Sequence, residues 1–152
     1  MEFVNFLDKV EIEIIKMVKQ AGYSTEENTS LCLLSRKYAG FLKKKDKVVV
    51  ICTDNAKKKE GYTMLRRNNS DTFDRTSRHI KRALRHEAIH VAQECNDGKL
   101  LDIKKNIKIN PSKINALKGS KKISGEEEKE RQAYILEDKP RLVKKELRKY
   151  CL

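Results

Sequence analysis

The sequence predicts a single α+β domain, mostly helical, with a small sheet or hairpin just before its longest helix. Three observations predict it. Apolar residues recur at helical spacing near the start, around residue 85 and at the end of the chain. One β-branched run, Lys47-Val48-Val49-Val50-Ile51-Cys52-Thr53, interrupts that pattern. The 152 residues, 38% of them apolar, are enough for one core but not for two, so the domain spans 1–152.

In chain order, Phe3, Leu7, Val10, Ile14 and Met17 lie on one face of a helix over residues 2–20, which Gly22 ends. Ser24 and Glu27 fit a capping box, which predicts a second short helix running to about Ala39. Gly40-Phe41-Leu42-Lys43, before a turn at Asp46, is the hairpin partner of the β-branched strand. Asp54 to Ser70 is polar and reads as a loop. Asp71 or Asp74 then caps the central helix, whose core stripe is Phe73, Ile80, Leu84 and Val91 and whose stop is Cys95-Asn96-Asp97-Gly98. Pro111 opens a short helix through Leu117. Ser124 and Glu127 form a second capping box for a helix over 125–137, and Pro140 starts a last helix carrying Val143, Leu147 and Tyr150.

Composition narrows the setting. No apolar run is long enough to span a bilayer, and Glu2 and Asp8 stand where a signal peptide would be basic and then apolar, so the expected location is the cytoplasm, that of a host cell if the chain is viral. Cys32, Cys52, Cys95 and Cys151 form no Cys-x-x-Cys pair, which argues against a thiolate zinc site and for reduced thiols that pack. The net charge of +13 favours contact with phosphate backbones. Its lysines are spread along the chain without interleaved aromatics, however, so only weak, unspecific nucleic-acid binding is expected.

The central helix contains His86-Glu87-Ala88-Ile89-His90. Imidazoles at i and i+4 project from one face and reach one zinc ion, while the carboxylate beside the first reaches a water on it. His79 lies two turns back, about 11 Å along the axis, and is left out of the site. A third ligand is needed. The longer motif with Gly and His three and six residues after the second histidine is excluded, because those positions are Gln93 and Asn96. A downstream carboxylate remains, and Glu126, Glu127, Glu128 and Glu130 are the richest source, with Asp97 and Asp102 behind them.

With Glu130-Arg131-Gln132-Ala133, the chain resembles the gluzincin metallopeptidases, in which His-Glu-x-x-His is followed by a helix offering Glu-x-x-Ala or Glu-x-x-Ser. More narrowly it looks like minimal gluzincins and small metallopeptidase-like proteins of cyanobacteria and their phages, over about residues 38 to 151. The resemblance implies a zincin-like domain holding Zn2+ through His86, His90 and Glu130, with Glu87 as general base. Helix geometry agrees with that choice, because a capping-box Glu127 is engaged locally and Glu128 points about 160° away from Glu130. The family's frequent aspartate four residues after the ligand glutamate is Tyr134 here, and no histidine lies downstream. Tyr134 is an oxyanion donor by position or a packing residue. Two functions follow as expectations. The first is a zinc-dependent peptidase that cuts peptide or protein substrates by Glu-assisted attack of zinc-bound water. The second is a basic domain that binds nucleic acid or a protein, with a structural or catalytically silent zinc.

Overall fold

The chain does not begin with one helix. A 3-10 turn covers Glu2–Phe6, and α1 runs Lys9–Gln20 with Asp8 extended between them. Glu27 anchors the first turn: its carboxylate accepts from the backbone N–H of Glu2 (3.1 Å) and Phe3 (2.6 Å) and from Thr53 Oγ1 (2.6 Å). Donors that open a helical turn have no partner within it, and here a distant side chain takes them. Phe3 and Phe6 are thereby buried beside Ile14, Ile15, Met17 and Val18 of α1.

The short helix predicted after Ser24 is not formed. Ser24–Glu27 is strand β1, and a 3-10 turn at Ser30–Leu33 follows it. Strand β2 is Gly40–Lys43 and β3 is Val48–Ile51. The order is β1-β3-β2, with β1 parallel and β2 antiparallel to β3. The β-branched run is therefore the central strand, buried on both faces. Val49 and Ile51 enter the helical core, whereas Val48 and Val50 pack with Cys32, Cys52, Leu31 and Phe41.

The cysteines, expected as reduced thiols, are all paired: Cys32 with Cys52 and Cys95 with Cys151. The first bond joins the turn after β1 to the end of β3, and the second joins the ends of two helices.

The computed structural model describes residues 1–61, 70–103, 108–118 and 126–152. Helix α2 spans Thr53–Lys59, taking in the end of the expected strand and the start of the loop expected from Asp54; residues 62–69 of that loop lie outside the described residues. The central helix, α3, spans Ser70–Cys95, 26 residues and about 39 Å. Ile80, Leu84, Ala88, Ile89, Val91 and Ala92 are fully buried. Phe73, expected in that stripe, is exposed and stacks on Phe6, with centroids 4.9 Å apart. Asp71 lies in the first turn and Asp74 beyond it, inside the helix. Asp97 (φ 58°) and Gly98 (φ 72°) end α3 as expected, and Gly98 N–H donates to Gln93 O at 2.9 Å.

A 3-10 turn at Pro111–Lys113 is capped by Asn110 and leads into a short helix, α4, over 114–118. Helix α5 is Glu127–Leu136 and α6 is Pro140–Cys151. Glu127 is the first residue of α5; Ser124, the other half of the expected capping box, lies outside the described residues. Helix α3 packs against α1, α5, α6 and the sheet and is the axis of a mostly helical α+β fold. Among the described residues, no helix is long and apolar enough to cross a membrane.

Candidate metal centre

One face of α3 carries His86, Glu87 and His90, all buried. Helix α5 crosses that face with Glu130, and Ala133, one turn on and fully buried, lets the two helices approach. His86 Nε2 and His90 Nε2 are 3.3 Å apart, and each lies 3.1 Å from an oxygen of Glu130. Donor atoms around a tetrahedral zinc, with bonds near 2.0–2.1 Å, are separated by about 3.3 Å. Among the described residues these three form a group able to hold a metal ion. Glu126, Glu127, Glu128, Asp97 and Asp102 stand outside it. So does His79, whose Nε2 contacts Glu60 Oε1 at 2.6 Å.

The outer nitrogens of the two rings show what the inner ones face. His86 Nδ1 lies 2.8 Å from Glu137 Oε2, and His90 Nδ1 lies 2.8 Å from Gln93 Oε1. Gln93 is oriented by its amide, which donates to Lys129 O (3.0 Å) and Gln132 Oε1 (3.1 Å), leaving its oxygen for the ring. Both Nδ1 atoms therefore carry the protons in the neutral rings, and two Nε2 lone pairs converge with a carboxylate on one point. Such a donor set fits a cation of the zinc type.

The electrostatics point the same way. Burial depresses the His86 pKa, yet the hydrogen bonds to Glu130 and Glu137 outweigh it and lift the imidazole to about 10. Burial raises Glu130, and the two histidine hydrogen bonds overcome it and hold the carboxyl well below its ordinary range. The centre draws positive charge, and a proton on His86 meets that demand in the metal-free chain. Glu87 moves the other way: burial raises it, against the pull of His86 and His90.

Glu87 sits where the sheet meets the helix. A Cβ on Gly40 would lie 3.2 Å from Val50 O, 3.3 Å from Glu87 Cγ and 3.4 Å from Ala83 Cβ, so a glycine is what lets β2 rest on α3 at this level. A cavity of about 460 Å³ opens there, lined by residues 39–42 together with His86, Glu87, His90, Glu130 and Tyr134. The Tyr134 ring meets His86 edge-on, with centroids 4.5 Å apart, and its hydroxyl donates to Ala116 O at 3.3 Å. It forms part of the cavity wall and steadies the imidazole.

The supporting residues are not the ones a sequence motif would suggest. Glu137, seven residues or about two helical turns after Glu130, returns to the same face and meets His86 Nδ1. It also binds Lys113 Nζ at 2.7 Å, and that ammonium reaches Tyr134 O and Asp138. Gln93 was visible only as the residue that breaks the longer histidine motif; its place three after His90 was the available signal.

Residues 3–152 match the family described as a domain of unknown function, DUF8637. The chain belongs to that family. No curated protein and no solved structure matches it. The DUF8637 match takes in every element that builds the centre, from the sheet to α6.

Proposed function

We propose that this DUF8637 protein is a zinc-dependent peptidase of the gluzincin type. The observation that carries the reading is the convergence of His86 Nε2, His90 Nε2 and Glu130 within 3.3 Å of one another, with Glu87 beside them beneath an edge strand. Zinc held by the three side chains would supply Lewis acidity, which acidifies water and polarises a carbonyl. Glu87, its pKa raised by burial, is placed to take a proton from the attacking water and return it to the leaving amine. Gln93 and Glu137 hold the two rings in the tautomer and orientation that ligation requires.

The edge of β2 supports a peptide substrate. Cys52 N–H donates to Ala39 O at 2.7 Å, which makes residues 39 and 52 a hydrogen-bonded pair in the antiparallel register. The alternation of such a ladder turns the backbone groups of Phe41 and Lys43 toward β3 and those of Gly40 and Leu42 outward. An extended peptide would pair with these outward groups and lie along the cavity.

Replacing Glu87 by Gln tests the reading. Hydrolysis of a peptide library should vanish while metal analysis still finds about one zinc per chain, because the ligands survive. Full hydrolysis by that variant, or wild-type protein that takes up no zinc, would overturn it.

A further inference from the structure

Lys44 begins the turn after β2 and reaches across the cleft. Its Nζ lies 3.1 Å from Glu126 Oε2 and 3.4 Å from Glu94 Oε1, while Lys129 Nζ holds the other Glu126 oxygen at 3.0 Å. These contacts tie together the β2–β3 turn, the last turn of α3 and the residue that caps α5. Strand β2 follows α3 in the same direction, since Gly40 meets Ala83 and Glu87, and Lys44 meets Glu94. Lys44 and Glu126 both line the cavity. The pair thus spans from the strand side of the cleft to the α5 side, at the end toward which β2 runs.

Its distance from Glu87 decides what it does. Gly40 is level with Glu87 and Lys44 is four residues on, about 13 Å along a strand. An extended peptide on this edge has room for about three residues between the reacting carbonyl and the bar. Antiparallel addition is the more stable pairing, and it places the amino end of the peptide where β2 ends, at Lys44.

We infer that the cleft accepts chain ends rather than chain interiors, and that the protein releases peptides of about one to three residues from the amino terminus of a polypeptide. The inference rests on the peptidase reading. Water adds across one amide: the released fragment keeps the new carboxylate, and the shortened chain gains the amine and the proton. No other reactant is needed.

The test maps cleavage sites by mass spectrometry after the zinc-loaded full chain has acted on long unstructured peptides. Cuts confined to the first few bonds from the amino end are expected. Internal cuts, or cuts grouped at the carboxyl end, overturn the inference while leaving the peptidase reading intact; absence of any cleavage removes both. Lys44→Ala and Glu126→Gln, each at a partly exposed position, should bring internal cuts up at least tenfold, and an unchanged cleavage map in both would show that the bar does not limit access. Binding gives a readout without turnover. In the Glu87→Gln background, adding residues to the amino end of a short peptide should weaken its affinity at least tenfold, and adding Lys44→Ala should restore it. Equal affinity for short and extended peptides overturns the inference.

Discussion

Glu137 offers the sharpest perturbation of the centre, because it touches no metal position and yet holds His86. The residue is 3% exposed and its carboxylate accepts the Nδ1 proton at 2.8 Å. In Glu137→Gln an amide oxygen can still take that proton, so the ring stays oriented, while the charge and the acceptor facing Lys113 are lost. In Glu137→Ala the ring loses its acceptor as well. Outer partners of this kind typically govern ten- to hundredfold in metal affinity, so about tenfold is expected for Gln and about a hundredfold for Ala, ~1.4 and ~2.7 kcal/mol. The cost to folding should be smaller than for breaking an isolated buried pair, since Lys113 keeps Asp138 and the Tyr134 carbonyl. Competition against a chromogenic chelator measures the affinities, with far-UV circular dichroism as a check on folding. Wild-type zinc affinity in both variants would refute the claim that Glu137 supports His86 as a ligand.

Three further outcomes are expected. His86 is raised from 6.5 to about 10, so in the metal-free protein its protonation contributes stability that is complete below about pH 6.5 and is lost as pH rises through about 10. The melting temperature of chelator-treated protein should therefore fall across that window while zinc affinity rises, and a chelated protein that gains stability there would contradict the assignment. Gly40→Ala puts a methyl group 3.2 Å from a backbone oxygen and 3.3 Å from Glu87 Cγ, and should cost about 1 kcal/mol in a denaturant melt and lower kcat/KM of the proposed hydrolysis; an unchanged variant would mean that β2 does not rest on Glu87. Closure of separations of 20 and 56 residues predicts that loss of Cys32–Cys52 costs about 3 kcal/mol and loss of Cys95–Cys151 about 4 kcal/mol. Thiol titration of the native protein should find none free, and paired serine variants should melt lower in that order.

What the chain displays openly is short-range. His86 and His90 are four apart on one helix, Gly98 follows the last helical turn, and Val48 to Ile51 are β-branched, so local spacing was enough to place the ligand helix, its stop and the central strand. Glu130 was reached through the resemblance to the Glu-x-x-Ala pattern, which Glu130 and Ala133 fit. The misses are contacts between segments remote in sequence. Ser24–Glu27 has no apolar alternation and only Thr25 among its side chains favours a strand; it is a strand because β3 offers it a parallel ladder. Glu27 resembled the acid of a capping box and does take the donors of a helical turn, but those of Glu2 and Phe3, more than twenty residues earlier. The cysteines showed no motif because their proximity exists only after the sheet and helices have packed.

If the centre holds the proposed ion, those cysteines bear on how it is acquired. Thiolates are the soft ligands of a polypeptide, and while reduced they compete with imidazole for zinc and outbid it for monovalent copper. Once all four sulfurs are joined in pairs, the choice of cation falls to two imidazoles and one carboxylate, a borderline set that suits zinc and its divalent neighbours and offers soft ions little. The order of maturation then matters. On the proposed reading, a chain that oxidises first would meet metal with a single kind of donor set, whereas a chain metallated while reduced could strand zinc on sulfur, so oxidation would act as a proofreading step for the centre.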